Sequence, residues 1–424
     1  MLESKSEDLL DGFPLAEPGS GVSNGQDASQ DAHPPVIAEN EDLLYGAVPV
    51  PGIHVVPAEK KEFKPWHKPR KQWVRIEQWA SFVRLLLREN RNLGDRTFRY
   101  LSLTGDDLLD VRVLQTVCKR EKVPFEYCGF NDIANDPLRT AESDISEGEL
   151  HDMDFIVPRS KVITDNIETV ATSGSLALTE ARSRGPFDAV NLDFCNDITH
   201  FDGRRFPRMD LIQRIMELQG NTIGRSWLLF ITTRVVRNTL STTIADAFDS
   251  AIQDNCQASN PFHRHLSLVL FDQRDAFPNI RSARNLTGAQ FLRYYCIGFS
   301  KWLISMVASS NPQWNVRLAD AAFYAIADQD PDVVSLVYKI ERVYHSPTDR
   351  YRITGLIPVN PPVHRVSEAD LALEALNELQ GIRDVDSLLR NPEVFGRIDR
   401  QNRELLEKAR YPMEHYNDFV NGDL

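Results

Sequence analysis

From Trp73 to Asn90 the apolar positions Val74, Ile76, Trp79, Phe82, Val83 and Leu86 recur at helical spacing, which predicts a helix. A short apolar strand follows, Arg99-Tyr100-Leu101-Ser102-Leu103, and runs into Thr104-Gly105-Asp106-Asp107. A helix pattern resumes at once through Leu108, Val111, Val113 and Leu114. A second strand, Pro124 to Phe130, ends at Asn131-Asp132. Residues 135–151 read as an acidic connection, Ser160 to Asp165 as a third short strand, and Leu176 to Arg184 as a helix. Phe187 to Phe194 reads as a buried strand closing in a polar cluster, Met209 to Gln219 as a helix, and Ser226 to Thr233 as another strand. Longer helices are expected around 240–257 and 288–309. The pattern then changes: 314–326, 332–345 and 349–358 alternate polar and apolar between turn signals, which predicts antiparallel strands. From Val366 onward the chain reads as helical and charged, and no internal repeat is visible.

Composition narrows the class. A chain of 424 residues with 42% hydrophobic and 26% charged side chains has the make-up of a soluble globular protein. No run of 18 apolar residues is present, so no membrane span is expected. The acidic N-terminus has no apolar stretch of the secretory kind. Five scattered cysteines without a CxxC pair suit a reduced, cytoplasmic compartment and argue against structural zinc.

The net charge of −13 is unevenly distributed. Residues 1–60 carry eleven acidic and two basic side chains, whereas 61–75 carry six basic and one acidic. Residues 1–58 are rich in Gly, Pro, Ser, Asp and Asn and are read as a mostly disordered arm, within which Leu43 to Val48 is a candidate docking segment. The following segment interleaves cations and rings: Lys61, Lys64, Trp66, Lys68, Arg70, Lys71 and Trp73. One reading is a grip for a nucleic-acid strand, with cations for phosphate and rings for bases. The other is a lead-in arm whose tryptophans pack on the domain while the lysines stay solvated.

Strand, single glycine, helix and a second strand ending in a polar residue form the opening β-α-β of a nucleotide-type Rossmann layout. One glycine stands where the fingerprint has three. With the later alternation and the closing hairpin, residues 95–360 resemble the class I S-adenosylmethionine-dependent methyltransferases. The resemblance implies an α/β, Rossmann-like three-layer sandwich with a mostly parallel sheet and a C-terminal antiparallel hairpin. Around it stand the arm, a basic-aromatic segment with leading helix (59–94) and a helical tail (361–424) that offers a surface to a protein partner.

The resemblance also assigns S-adenosylmethionine as cofactor. It puts Thr104, Gly105 and Asp106 beside the methionine part, Asn131 at the ribose and Asp165 at the adenine amine. Asp193 and Asn196 then face the methyl acceptor. The bland alternatives are equally concrete. Asp106 and Asp107 suit the acidic first turn of a helix, and Asn131 and Asp165 suit turns. Asn360-Pro361-Pro362-Val363 lacks the closing aromatic of an amine-methylation motif and reads as a proline-rich exit. Cys195 with His200 lacks a third member, and His263 and His265, spaced as same-face strand neighbours, meet no metal-ligand spacing. The functions carried forward are a methyltransferase of unknown acceptor, a catalytically inactive methyltransferase-like scaffold or interaction protein that binds a protein or nucleic-acid partner, and a nucleic-acid-processing protein that grips with residues 61–75.

Overall fold

The computed structural model describes residues 62–90, 97–221, 226–271, 280–308, 310, 313–326, 330–343 and 366–422. The acidic arm with Leu43 to Val48, Lys61, the expected strand over 349–358 and Asn360 to Val363 lie outside these residues.

Eight strands form one sheet in the order β3-β2-β1-β4-β5-β7-β6-β8. They are β1 (Phe98–Leu103), β2 (Phe125–Phe130), β3 (Lys161–Ile163), β4 (Ala189–Asp193), β5 (Ser226–Arg234), β6 (Trp314–Tyr324), β7 (Val333–Arg342) and β8 (Arg383–Asp384). The first five run parallel. Strand β7 is antiparallel to both β5 and β6, so the predicted hairpin extends that side of the sheet, with β8 parallel to β6 at its edge. The chain moves outward from β1 through β2 to β3, then returns to place β4 on the other side of β1. This reversal opens a crevice beyond the C-terminal ends of β1 and β4.

Alternate strand residues feed two separate cores, as period-two side-chain geometry requires. Leu101, Val190, Leu192, Leu229 and Ile231 join one core with residues of helices α5 (Leu176–Arg184), α6 (Pro207–Leu218), α7 (Thr242–Ala258), α8 (Asn260–Phe271), α9 (Gly288–Ala308) and α10 (Glu368–Gln380). Tyr100, Ala189, Leu228 and Phe230 join the other with residues of the helix ahead of β1 and of α3 (Leu109–Glu121). The result is the expected three-layer α/β sandwich.

The leading helix runs unbroken from Pro69 to Glu89 as α1 (Pro69–Trp73), a π-helical stretch (Val74–Ala80) and α2 (Ser81–Glu89). The supposed acidic connection is instead a helix, α4 (Pro137–His151), with Asp136 capping Arg139 N–H at 3.1 Å and proline at its first turn. Only Ser143, Ser146 and Leu150 are buried on it, so no apolar stripe marks it in the sequence. Helix α8 corrects the strand spacing assumed for His263 and His265, since positions two apart on a helix face different ways.

The tail is woven into the body. Helix α10 packs on β6, α8 and α9, and α12 (Pro392–Lys408) packs on α1 and α3. Leu405, Leu406, Ala409 and Tyr416 cluster with Leu109, with Phe63 against them. No helix among the described residues is long and apolar enough to cross a membrane.

Candidate functional site

A pocket of about 390 Å³ occupies the crevice where the strand order reverses. Its floor is the ends of the parallel strands: Leu103, Thr104 and Gly105 after β1, Asn131 and Asp132 after β2, Asp193 to Cys195 at β4, and Thr232 of β5. The hairpin contributes Tyr324, Ala325, Ile326 and Val333. The segment before and within the leading helix closes the outer side with Pro65, Trp66, Arg70, Lys71 and Arg75.

Glycines shape the floor in two ways. A Cβ on Gly129 would lie 2.9 Å from Thr104 Cγ2, so the bare backbone of β2 lets Thr104 lean across it. Thr104 N–H donates to Phe130 O at 2.9 Å and completes the tie. Gly105 is different: a Cβ there would meet nothing within 4 Å. Packing does not demand that glycine, and its effect is to leave room at the pocket wall.

The two neighbouring aspartates of the β1 turn part company. Asp106 is gripped by Arg139 through Nε and Nη2, both at 2.9 Å, and accepts from Asn131 Nδ2 at 2.8 Å. Two of the expected cofactor residues therefore form one network, with Asn131 on the pocket surface and Asp106 behind it. Asp107 lines the pocket and accepts from Tyr411 O–H at 2.6 Å. Deeper in, Asp110 accepts from Tyr100 O–H at 2.7 Å and Ser102 O–H at 2.5 Å, and Asn191 Nδ2 donates to the Tyr100 oxygen at 2.9 Å. Burial pushes the Asp110 carboxyl above its ordinary value.

Asp193, the expected acceptor-side residue, meets Lys71 Nζ at 2.5 Å. The Lys71 side chain is 4% exposed and its ammonium also lies 4.7 Å from the centre of the Trp79 ring. Burial holds Lys71 below the usual lysine value, and Asp193 pushes it partly back. Cys195 opens onto the pocket, and burial, then Asp193, holds its thiol above the ordinary value. Arg75 also lines the pocket and is buried.

Asp165 and Asn196 fall outside this constellation. Asp165 accepts from Asn166 N–H at 2.7 Å and Thr169 O–H at 3.2 Å, at the start of a 3-10 turn. Asn196 lies in a neighbouring hollow of about 480 Å³ with Asp197, His200 and Arg208. Asp197 is spent on Thr199, Thr239 and Tyr295 there. Among the described residues no group of three or more His, Cys, Asp or Glu is arranged to hold a metal ion.

The basic-aromatic segment is mostly drawn into the domain. Lys71 and Trp73 are buried, and Arg70, half-buried, pairs with Asp386 of α11 (Val385–Leu389). Lys64 and Lys68 are half-buried, the former paired with Glu62 and the latter over the Phe419 ring. Trp66, 43% exposed, sits at the pocket lip.

A family model described as PP_RS20740-like matches residues 60–421. The chain belongs to the PP_RS20740-like family. That match takes in every wall of the pocket, together with the C-terminal residues Asp386 and Tyr411 that brace it. No curated protein matches the chain.

Nothing in the sequence pattern singles out Arg75, Arg139, Tyr324 or Tyr411, and all four line or brace the pocket. Asp110 alone left a trace, because Tyr100 and Ser102 share one face of a strand and the first turn of the next helix returns over that strand.

Proposed function

We propose that this protein binds S-adenosylmethionine in the crevice between β1 and β4 and transfers its methyl group to an acceptor entering past Trp66. The observation that carries the reading is the floor of the pocket. Gly105 leaves open space at the end of β1, beside Thr104, Asn131 and Asp132 at the adjoining strand ends. A switch-point crevice with these parts suits a nucleoside ligand, and about 390 Å³ is within the size range of small-molecule sites.

The residues present fit the group in part. Asn131 is held in place by Asp106, and Asp132 is an exposed carboxylate at the rim suited to ribose hydroxyls. Leu103, Leu108, Phe194 and Ile326 supply apolar wall for a base. When bound, the cofactor supplies an electrophilic methyl on sulfur; the chain's task is to hold the acceptor in line and exclude water. Asp165 and Asn196 take no part in this version of the site. Cytoplasmic residence accompanies the reading, since all five cysteines are free.

One observation favours the second reading, a site that binds without transferring. The carboxylate at the end of β4 is already neutralised by buried Lys71, which weakens it as a general base. In that case a protein partner would meet the charged outer surface of the tail, most of whose apolar residues are used internally.

Calorimetry separates the possibilities. Titration with S-adenosylmethionine and S-adenosylhomocysteine is expected to show saturable heat that Gly105→Trp abolishes while leaving the fold intact, because the new ring fills open space. No heat at millimolar ligand overturns the cofactor assignment. Binding without label transfer to any acceptor fraction selects the scaffold.

A further inference from the structure

Four cations line the pocket, and three of them have a carboxylate partner. Arg70 meets Asp386, Lys71 meets Asp193 and Arg139 meets Asp106. Arg75 is the exception. Among the described residues no carboxylate oxygen lies within ion-pairing distance of it, although it is 4% exposed. Its contacts are neutral: Nη2 donates to Trp66 O at 3.0 Å, and Nη1 reaches Gln72 Oε1 at 3.5 Å. Its Nε–H is sealed from solvent and has no acceptor.

That arrangement is costly. A guanidinium does not lose its proton, so burial leaves a fixed charge rather than a neutral group. Such charges are retained inside proteins when a partner satisfies them. The acids whose fields reach Arg75, Asp193 and Asp110, are committed elsewhere, the first to Lys71 and the second to two hydroxyls. Arg75 sits in the π-helical stretch, a distortion found disproportionately at functional positions. Its planar fork matches a two-oxygen anion.

We propose that Arg75 is the receptor for an oxyanion, a carboxylate or phosphate, carried by the molecule that fills this pocket. The inference rests on the reading of the pocket as a ligand site and does not require that ligand to be S-adenosylmethionine. Two sources share the chemistry: the amino-acid carboxylate of the nucleoside ligand, and an anionic group on a separate acceptor.

The test compares wild type with Arg75→Gln and Arg75→Lys, each checked for native circular dichroism. The probes are S-adenosylhomocysteine, 5′-methylthioadenosine (the same nucleoside thioether without the amino-acid part) and inorganic phosphate. If the nucleoside ligand carries the oxyanion, wild type prefers S-adenosylhomocysteine at least tenfold and Arg75→Gln narrows the gap to about twofold. If a separate acceptor carries it, the nucleoside ratio is unchanged by the substitution. Phosphate then raises the melting temperature of wild type in a dose-dependent way and that of Arg75→Gln not at all. Phosphate binding that needs Arg75, with no nucleoside binding, upholds this inference and overturns the methyltransferase reading. Wild-type affinities for all three probes in folded Arg75→Gln overturn the inference, as does wild type that binds none of them. Should Arg75→Gln fail to fold, Arg75→Lys keeps the charge without the fork, and a graded loss is expected from it.

Discussion

Removing Asp193 should destabilise the protein more than removing Lys71, although the two are partners in one ion pair. The reason is where each would be left. The Lys71 side chain is 4% exposed and that of Asp193 is 26% exposed on the pocket. In Lys71→Met the orphaned carboxylate can hydrate through the pocket, and methionine keeps contact with the Trp79 ring, so about 1–3 kcal/mol is expected. In Asp193→Asn the ammonium stays sealed and keeps only a neutral amide oxygen and the Trp79 ring, so the loss at pH 7 approaches the lower end of the ~3–5 kcal/mol typical of breaking a buried pair from one side.

The two variants also differ in pH dependence. Lys71 is already held below its ordinary value by burial, and Asp193 is the largest influence raising it. Without Asp193 its folded value drops further below the unfolded one. A group with a depressed folded value contributes stability above the unfolded value and loses it as pH falls, so the Asp193→Asn deficit shrinks between pH 7 and 10. Urea denaturation of wild type, both single variants and the double variant at pH 7 and 9.5 reads this directly. A Lys71→Met deficit equal to or larger than that of Asp193→Asn, or an Asp193→Asn deficit that ignores pH, refutes the reasoning.

Two further expectations concern the scaffold. Gly298 on α9 faces Phe248 on α7, and a Cβ there would fall 2.7 Å from Phe248 Cβ and closer still to its ring. Alanine gains about 1 kcal/mol of helix propensity but forces two buried helices apart, so Gly298→Ala should lose about 1–2 kcal/mol net in chemical denaturation; a stabilised variant would show that Phe248 yields. Asp110 is raised by burial, so its contribution is complete below the ordinary value of 3.8 and fades as pH rises through the folded value. Asp110→Asn keeps an acceptor for Tyr100 and Ser102 and removes that decline, so its urea midpoint should gain on wild type from pH 4 to 7; parallel profiles would contradict the assignment.

The sheet was readable from the chain because β1, β2, β4 and β5 are short apolar runs bounded by polar turns. What resisted reading has specific causes. Helix α4 lacks an apolar stripe, α8 follows α7 almost without interruption, and β8 is two residues long. At the site, strand ends were legible: Gly105, Asn131 and Asp193 all reach the pocket because a parallel sheet delivers its C-terminal ends to one edge. The choice between adjacent residues was not. Asp106 turns to Arg139 and Asp107 to the pocket, a division set by partners 33 and 304 positions away. Helical periodicity placed Trp79 and Val83 in the core but said nothing of which counter-ion Lys71 would meet, or that Arg75 would meet none among the described residues.

The outer wall of the pocket has a history as well as a shape. Arg70 meets Asp386 across 316 positions, and the same aspartate accepts from Ala325 N–H at 2.8 Å. At about 5–20 residues per second, a ribosome takes roughly a quarter of a minute to a minute to deliver the second partner after the first. The parallel strands and the Gly105 turn emerge well inside that interval, with the roofing segment still untied at Asp386. A ligand that needs floor and roof together therefore finds no finished pocket on the growing chain, and reports on completed molecules alone.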